Sequence, residues 1–464
     1  MVSLLAAPIL TRLYAPEAFG VFALFGSITG VLGAVVCLRY EMAIMLPECD
    51  EEAANLLSVS LGFALLISLT MIPFVWWGRE TISQWLNAPA LSNYLWLAPL
   101  AILVSGIFLA LNYWNSRTRH FGRLAIARVT NSLTTTPLML GLGFVGYATG
   151  GSMIGSSIAG QAVATGVLGS QTWRDDRKIF LKAVHFRPMW DTIKQHKKFP
   201  LLSTWTTLMN AVSLQIMPLL LAFFFSSAVV GFYALGHRLL SMPMSLIGSA
   251  IAQVFFQRSA TAKYDGTLPL VVGNTLTRLM ALGLFPILMV MVTGKDIFSV
   301  VFGVQWAEAG LYAQILAPWI MFQFISSPIS TLFSVLEMQG SDLLFNSALL
   351  GTRIVALMIG GFLNSITMAL ILFSITGAIM YCCLCLFLLK KAGTTLKLLT
   401  HDILKILLIA FISLLPVVLL EGYGVQPMTA TIASCLCILL YYTILYLSDK
   451  ELQKLMSRFF IRHH

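Results

Sequence analysis

The residues of this sequence best suited to bind a ligand are five arginines within or beside strongly apolar segments. They are Arg12, Arg39, Arg238, Arg278 and Arg353. An ionisable side chain inside a bilayer is costly, so it usually faces a cavity or a partner. Of the acids, Glu41, Glu308 and Glu337 stand near the ends of apolar segments rather than at their centres. Because guanidinium groups bind phosphate in a bidentate fashion, we predict a cationic cavity for a phosphate-bearing anion.

Each arginine also has a plainer interpretation. Arg12, Arg39 and Arg278 lie near segment ends, where a long side chain can extend to the water interface. Arg238 and Arg353 are harder to explain in this way, and a cavity role is favoured for both. Polar residues in the same segments could line the cavity or simply join helices: Asn112, Asn131, Asn210, Gln215, Asn274 and Asn346.

The composition is that of a membrane protein. Hydrophobic residues make up 58% of the 464 residues and charged residues 10%, whereas soluble domains carry about 25% charged residues. Fourteen apolar runs follow one another, near 2–13, 19–38, 54–77, 94–114, 124–147, 152–170, 200–224, 229–255, 269–293, 309–335, 343–363, 366–389, 403–420 and 428–447. The first run covers only about 18 Å of a roughly 30 Å core. We therefore predict an all-α polytopic membrane protein with about 14 transmembrane helices, the first either truncated or begun before Met1.

The basic residues between the runs predict the orientation. With a cytoplasmic amino terminus, the inward segments carry most of the Lys and Arg residues, and the outward segments carry only Arg12, Arg79 and Lys295. Such an excess marks the cytoplasmic side, so both ends of the chain are predicted to be cytoplasmic. The net charge of +10 follows from this distribution and does not indicate nucleic acid binding. An aromatic belt is expected at the outer interface, formed by Trp76, Trp77, Trp85 and Trp306.

A short motif occurs in both halves of the chain. Pro16-Glu-Ala-Phe-Gly20 follows the first run, and Ser226-Ser-Ala-Val-Val-Gly231 precedes and enters the eighth. Leu97-Ala-Pro99 and Leu316-Ala-Pro318 repeat in the same order. Runs 1–6 thus correspond to runs 7–12, as in transporters built from two repeats of one orientation. We predict an N-terminal lobe over 1–170, a basic cytoplasmic linker over 171–199, a C-terminal lobe over 200–390, two further helices over 391–447 and a cytoplasmic tail over 448–464.

Nothing in the sequence indicates an enzyme. It contains no Walker A sequence, zinc-spaced histidine pair or G-x-S-x-G elbow. The seven cysteines form no metal-binding or disulfide pattern, so we expect no metal and no cofactor. A membrane glycosyltransferase or polymerase remains an alternative, although it would need a large outer loop or an acidic catalytic cluster, and the sequence shows neither. The basic linker is either a determinant of topology or a contact for anionic lipid headgroups.

Longer motifs carry a resemblance to a known family. Leu10-Thr-Arg-Leu-Tyr-Ala-Pro-Glu-Ala-Phe-Gly20 and Leu38-Arg-Tyr-Glu-Met-Ala-Ile-Met-Leu-Pro47 resemble the start of bacterial Wzx-type flippases of polysaccharide biosynthesis. Gly231-Phe-Tyr-Ala-Leu-Gly-His-Arg-Leu-Leu240 resembles their second lobe. These flippases belong to the multidrug/oligosaccharidyl-lipid/polysaccharide exporter superfamily. The resemblance implies two six-helix lobes in a V around a central cavity, with two further C-terminal helices. By motif position it indicates Arg12, Arg39 and Arg238 for the cationic cavity, while burial alone adds Arg278 and Arg353.

The resemblance also implies a function and a setting. The expected substrate is undecaprenyl pyrophosphate carrying an oligosaccharide repeat unit of O-antigen, capsule or exopolysaccharide. It would be moved from the inner to the outer leaflet of the bacterial inner membrane by alternating access, coupled to an ion gradient. The expected partners are the lipid bilayer and a polysaccharide polymerase with its chain-length machinery. A multidrug exporter or a lipid II flippase of the same fold remains an alternative, although cationic drugs would favour buried carboxylates over arginines.

Overall fold

The computed structural model describes residues 5–448 of the chain. The predicted cytoplasmic tail beyond Ser448 lies outside the described residues, as do the first residues of the first apolar run. Within 5–448 the secondary structure is helical, and no β-strand occurs there. The chain divides into two compact units, one ending at Ala234 and one beginning at Leu235.

Nine complete α-helices and the start of a tenth are seen in the described residues of the first unit. They are α1 (Ala7–Leu13), α2 (Pro16–Gly33), α3 (Tyr40–Ala43), α4 (Asp50–Trp85), α5 (Ala98–Arg117), α6 (Phe121–Phe144), α7 (Gly150–Ala183), α8 (Phe186–Gln195), α9 (Thr204–Phe224) and α10 (Ser227–Tyr264). Helix α10 continues into the second unit. The remaining helices are α11 (Leu268–Phe302), α12 (Ala307–Ile329), α13 (Leu332–Val335), α14 (Gln339–Phe362), α15 (Ile366–Lys391), α16 (Leu396–Gly422) and α17 (Pro427–Ser448).

All fourteen apolar runs fall on helices, but they differ in their capacity to span a bilayer. Among the described residues, eleven helical segments are long and apolar enough to do so. Helices α6 and α7 have the length, with 24 and 34 residues, but are more polar than those eleven. Helix α1 has only seven described residues, which rise about 10 Å. In the described part of the predicted first run, this short helix is the principal element.

Helix boundaries follow local chemistry. Helix α4 begins with Asp50, Glu51 and Glu52 in its first turn, where acidic groups interact favourably with the helix dipole. The hydroxyl of Thr149 and the side chain of Ser152 form a capping box at the start of α7. Pro99, which the apolar run placed inside a helix, lies instead in the first turn of α5, where its missing N–H costs nothing.

The two copies of the repeated motif meet in the first unit. A Cβ atom at Gly20 would overlap the carbonyl oxygen of Ser227, and one at Gly231 would overlap the carbonyl oxygen of Pro16. The start of α2 and the start of α10 therefore cross with their backbones in contact, and each helix supplies the glycine that the other requires. The two copies of the repeated motif therefore also form the two complementary surfaces of this helix crossing.

Part of the predicted basic linker packs on the first unit. Helix α7 extends through 171–183 rather than ending near 170, and the amide of Asn55 on α4 donates a hydrogen bond to the carbonyl of Ala183 at 3.0 Å. The hydroxyl of Tyr40 donates to the carbonyl of Ile193 in α8 at 3.2 Å, while its ring stacks on Phe63 at 5.4 Å. These contacts fix both ends of the 183–193 segment to α3 and α4.

The two C-terminal helices, which stand outside the sequence repeat, pack against α11 in the second unit. The ring of Tyr441 stacks on Phe285 at a centroid distance of 4.5 Å, and its hydroxyl donates to the carbonyl of Ala281 at 2.9 Å. The hydroxyls of Thr293 and Ser434 lie 3.0 Å apart. Helix α17 is therefore tied to α11 at two positions, Ser434 and Tyr441, through buried polar groups that have their partners.

Candidate functional site

Arg353 is the most buried of the predicted arginines, with 6% of its surface exposed. It lies on α14, and its guanidinium carbon is 5.6 Å from the ring centroids of Trp319 on α12 and Phe373 on α15. Its Nη2 atom donates a hydrogen bond to the hydroxyl of Tyr381 at 3.4 Å. Aromatic faces attract a cation through their quadrupole, most strongly where water is excluded. Three side chains from two helices, α12 and α15, therefore surround this guanidinium.

His237 on α10 extends the cluster. Its imidazole stacks on Trp319, with ring centroids 5.5 Å apart and an angle of 17° between the planes. Trp319 therefore contacts the guanidinium of Arg353 and the imidazole of His237 at once, and it also meets Phe373 edge to face at 4.9 Å. Edge-to-face and offset stacked pairs are the favourable arrangements for aromatic rings. The result is a rigid aromatic support beneath two basic side chains.

A cavity of about 400 Å³ lies beside this cluster in the second unit. His237, Gln323, Asn346 and Tyr381 line it together with several serines, which are Ser241, Ser245, Ser326, Ser327 and Ser330. Asp342 also lines the cavity, and its carboxylate accepts a hydrogen bond from the amide of Asn346 at 2.9 Å. Hydroxyl and amide groups both donate and accept hydrogen bonds. The lining can therefore pair with a ligand rich in hydroxyl groups, such as a sugar.

The predicted arginines of the second unit stand in different relations to this cavity. Arg353 lies one side chain behind the wall, because its partner Tyr381 lines the cavity and Arg353 itself does not. Arg238 follows the lining residue His237 but is itself exposed, and Arg278 on α11 is half-buried. Neither belongs to the lining. The structure thus brings one of these three arginines to the cavity, and that one through a tyrosine.

The two arginines predicted in the first unit are separate from each other. Arg12 lies on α1 and is exposed. Arg39 precedes α3 and forms an ion pair with Glu41, Nη1 to Oε1 at 3.3 Å, and Nη2 also contacts the sulfur of Met42. The expectation that no acid neutralises the arginines is therefore wrong for Arg39. Leu38 and Arg39 have φ angles of 50° and 64°, and this left-handed backbone turns the chain so that residues two apart can pair.

The carboxylate of Glu41 is buried, which is unusual for an acidic side chain. It is fully buried, and its Oε1 atom lies 3.3 Å from Nη1 of Arg39. Burial raises the pKa of Glu41, while a backbone hydrogen bond and the charge of Arg39 act in the opposite direction. Since burial outweighs both, the ion pair is held at an electrostatic cost, as is common for buried pairs.

Two of the polar residues predicted either to line a cavity or to join helices make interhelical bonds. The hydroxyl of Ser27 on α2 donates to the side chain of Gln215 on α9 at 3.0 Å. The amide of Asn131 on α6 donates to Gln161 on α7. Asn346, by contrast, lines the cavity of the second unit. Helix joining is thus the observed role for two members of the set, and cavity lining for one.

Acidic residues in the basic linker have structural partners. The carboxylate of Asp175 pairs with Arg123 at 2.7 Å, and Asp176 accepts a hydrogen bond from the indole of Trp114 at 2.9 Å. Arg117 pairs with Asp50 at 3.1 Å and donates to the carbonyl of Pro47 at 2.7 Å. These contacts join α7 to α5 and α6, and α5 to the segment before α4. Asp175 and Asp176 therefore have structural roles, and no ligand is needed to explain this pair of acids.

Four residues of the aromatic cluster are not among the site residues predicted from the sequence: His237, Trp319, Phe373 and Tyr381. Two of them stand beside motifs that the sequence did single out. His237 immediately precedes Arg238, and Trp319 immediately follows Leu316-Ala-Pro318. The repeated motif could therefore have indicated Trp319. The contact of Trp319 with Arg353, however, joins α12 to α14, and a contact between residues so far apart in the chain has no signature in the local spacing of the sequence.

Comparison with known sequences decides the family. The family of polysaccharide biosynthesis proteins matches residues 9–311, which is well over half of the chain. The chain belongs to this family. The resemblance based on the two sets of motifs is thereby confirmed. No curated relative matches the chain by sequence.

Two solved transporter structures share the fold. The lipid II flippase MurJ in an inward closed conformation matches with a TM-score of 0.69 over 96% of this chain and 98% of that chain, at 14% identity. An inward-facing multidrug resistance transporter of the MATE family, in the MOP superfamily, matches with a TM-score of 0.60 over 84% and 94%, also at 14% identity. At this identity the likeness establishes the fold, and the predicted all-α polytopic membrane architecture is confirmed.

Proposed function

We propose that this protein is a flippase for undecaprenyl pyrophosphate-linked oligosaccharide repeat units of O-antigen, capsule or exopolysaccharide. It would move them from the inner to the outer leaflet of the bacterial inner membrane. Membership in the polysaccharide biosynthesis family supports the pathway, and the fold shared with two transporters supports transport rather than catalysis. The observation that best supports the proposal is the cavity of the second unit, which is lined by hydroxyl and amide groups and lies beside the buried Arg353.

The chemistry of that cavity suits the polar part of such a substrate. Sugars present hydroxyl groups in all directions, and the serine, asparagine and glutamine side chains can donate to some and accept from others. Arg353 adds positive charge next to Tyr381. We assign the pyrophosphate to Arg353, with Arg238 and Arg278 of the same unit as further candidates, and the sugars to the polar lining. The lipid tail would remain in the bilayer.

The transport cycle follows from the demands of such a substrate. A lipid-linked oligosaccharide has to pass its polar part across about 30 Å of hydrocarbon. Alternating access achieves this when two lobes open the site first to one side and then to the other. We place the two lobes at 1–170 and 200–390 and both termini in the cytoplasm. We propose that an ion gradient drives the transport cycle in the outward direction. A polysaccharide polymerase and its chain-length machinery would receive the product.

Lipid II flipping is the second candidate. The fold likeness to MurJ, which extends over nearly all of both chains, favours it, and the physical requirements of the two substrates are nearly the same. Deletion of the gene distinguishes them. Accumulation of a lipid-linked repeat unit inside the cell, with peptidoglycan synthesis intact, supports the polysaccharide substrate. Accumulation of lipid II would replace our proposal by the alternative, and mass spectrometry of the lipid identifies the sugars.

The assignment of the arginines is tested by substitution. Arg238→Ala and Arg353→Ala should each cause the lipid-linked repeat unit to accumulate in the inner leaflet and reduce surface polysaccharide. Arg258→Ala is a matched control, since Arg258 is an exposed arginine on the same helix as Arg238. Immunoblots of the membrane fraction would establish equal protein levels. Normal surface polysaccharide in both test variants would exclude the assignment of Arg238 and Arg353.

A further inference from the structure

An apolar groove runs along α4 and the start of α5 in the first unit. One wall is a helical stripe of α4 that includes Leu65, Leu69, Ile72 and Trp76 and ends at Arg79. Spacings of three and four residues place these side chains on one face of the helix. From Leu65 to Arg79 the stripe rises about 21 Å. The groove has a volume of about 360 Å³.

The second wall completes a surface suited to hydrocarbon. Trp96, Pro99, Leu100 and Leu103 provide it, so the lining from both helices is apolar apart from the hydroxyl of Ser68 and the guanidinium of Arg79. The groove therefore offers a hydrocarbon chain a continuous apolar surface with one cation at its end.

Arg79 is the charged group at one end of this groove. Its guanidinium carbon lies 5.6 Å from the ring centroid of Trp76, and no carboxylate within the described part of the chain lies within 4.0 Å of it. Trp76 and Trp96 are both exposed, at 67% and 59%, as is typical of tryptophans at headgroup depth. A guanidinium at that depth can bind a phosphate group through two hydrogen bonds.

We propose that this groove binds the polyprenyl carrier lipid, with its single chain along α4 and its terminal phosphate on Arg79. The inference rests on the proposed function, because that function supplies the carrier as the lipid part of the substrate. In the predicted topology Arg79 lies on the outward side. The groove would then hold the carrier after its sugars have crossed, separate from the polar cavity of the second unit.

Photo-crosslinking tests this site. The purified full-length protein, reconstituted in nanodiscs, is irradiated with a photoreactive undecaprenyl phosphate without sugars, and the labelled peptides are identified by mass spectrometry. We expect label on the α4 and α5 peptides. Arg79→Ala should reduce it about tenfold, as expected for the loss of a hydrogen bond to a charged group. Leu100→Trp, which fills the groove at an exposed position, should reduce it without altering Arg79. Lys295→Ala removes another exposed cation that is predicted to lie on the outward side, and it should leave the amount of label unchanged.

Three results would overturn the proposal: no label in the groove, label insensitive to both Arg79→Ala and Leu100→Trp, or label displaced equally well by phosphatidylglycerol. The last would make the groove a general site for anionic phospholipid. Surface polysaccharide in a deletion strain that carries each variant separates this proposal from the proposed function. Normal export with no groove label would refute the groove and leave the flippase proposal standing. A wild-type protein that fails to restore export would refute the flippase proposal itself.

Discussion

At the level of single residues, the protein holds two of its arginines in different ways. Arg353 is held by the faces of Trp319 and Phe373, which stabilise a cation by about 2 kcal/mol when water is excluded and leave its net charge in place. Arg39 is held by the carboxylate of Glu41, which cancels the charge. A phosphate approaching Arg39 has to compete with Glu41, whereas one approaching Arg353 meets aromatic rings and Tyr381. Arg353 is therefore the better placed of the two to attract an anion.

The buried carboxylate of Glu41 should make stability depend on pH. Burial raises its pKa above the ordinary value of 4.5 in the folded chain, so the folded chain binds this proton more tightly than the unfolded chain. The stability linked to this group is thus fully present below pH 4.5 and is lost as the pH rises through the raised pKa. Glu41→Gln removes that loss. We expect its melting temperature, relative to that of the wild type, to be higher at about pH 8 than at about pH 4.

Thermal unfolding of the purified protein, followed by size-exclusion chromatography at several pH values, measures this difference. Two other pairs lie on elements close to α3: Arg117 with Asp50 at 3.1 Å, and His196 with Glu52 at 3.4 Å, the latter an ion pair only when the imidazole is protonated. Glu48→Gln, at an exposed position, controls for the loss of one negative charge. A difference between Glu41→Gln and the wild type that stays constant with pH would contradict the prediction.

The pairing of Arg39 also explains one limit of the sequence argument. In a regular helix, residues two apart do not face each other, so Glu41 was not expected to reach Arg39. The left-handed backbone at Leu38 and Arg39 breaks that geometry. Such a conformation is uncommon for residues other than glycine, and neither Leu nor Arg signals it. Sequence patterns therefore singled out both residues but could not predict their contact.

At the level of helices, the crossing of α2 and α10 depends on two glycines. Gly20→Ala would place a Cβ atom into the carbonyl of Ser227, and because the neighbouring atoms are backbone, the helices would have to move apart. Overpacking of this kind costs about 1–3 kcal/mol. We expect a lower melting temperature and less folded protein in the membrane. Gly26→Ala on the same helix is the control, because nothing lies within 4 Å of a Cβ atom there. Equal stability of the two variants would show that the crossing tolerates separation.

Helices were the elements best predicted from the sequence, because apolar periodicity and length are local properties. Each apolar run corresponds to a helix, yet the helices often extend past the runs. Helix α7 continues to Ala183 through Arg174 and Asp176, since charged residues can prolong a helix beyond the hydrocarbon while pairing with neighbours such as Arg123. Hydropathy alone contains no information on such pairs. The boundaries of the linker were the least predictable for this reason.

At the level of the whole molecule, fold and substrate depend on different parts of the sequence. The fold is shared with transporters at only 14% identity, so it depends on the order and polarity of the helices more than on particular side chains. The site depends on long-range contacts, such as that of Arg353 with Trp319. Sequence patterns could therefore predict the architecture and single out candidate arginines. They could not predict which arginine adjoins the cavity, because that contact requires the helices to be packed.

The last prediction concerns the two polar helices, α6 and α7. If both cross the bilayer, the segment between them faces outward, opposite to the segment before α4. If neither crosses, it stays on the cytoplasmic side, and the orientation of every later helix is unchanged. Helix α6 has 24 residues, which rise about 36 Å, enough to cross a core of about 30 Å. We therefore expect both helices to cross.

Cysteine labelling decides between these arrangements. Tyr147 lies between α6 and α7 and is 64% exposed, and Cys49 lies just before α4 and is exposed. With the other cysteines replaced, a membrane-impermeant maleimide should label Tyr147→Cys in intact spheroplasts and Cys49 only after permeabilisation. Labelling of both positions only after permeabilisation would mean that α6 and α7 stay on the cytoplasmic side. Their asparagines, threonines and serines would then contact water rather than a transport path, and the N-terminal lobe would lose two of its six predicted spans.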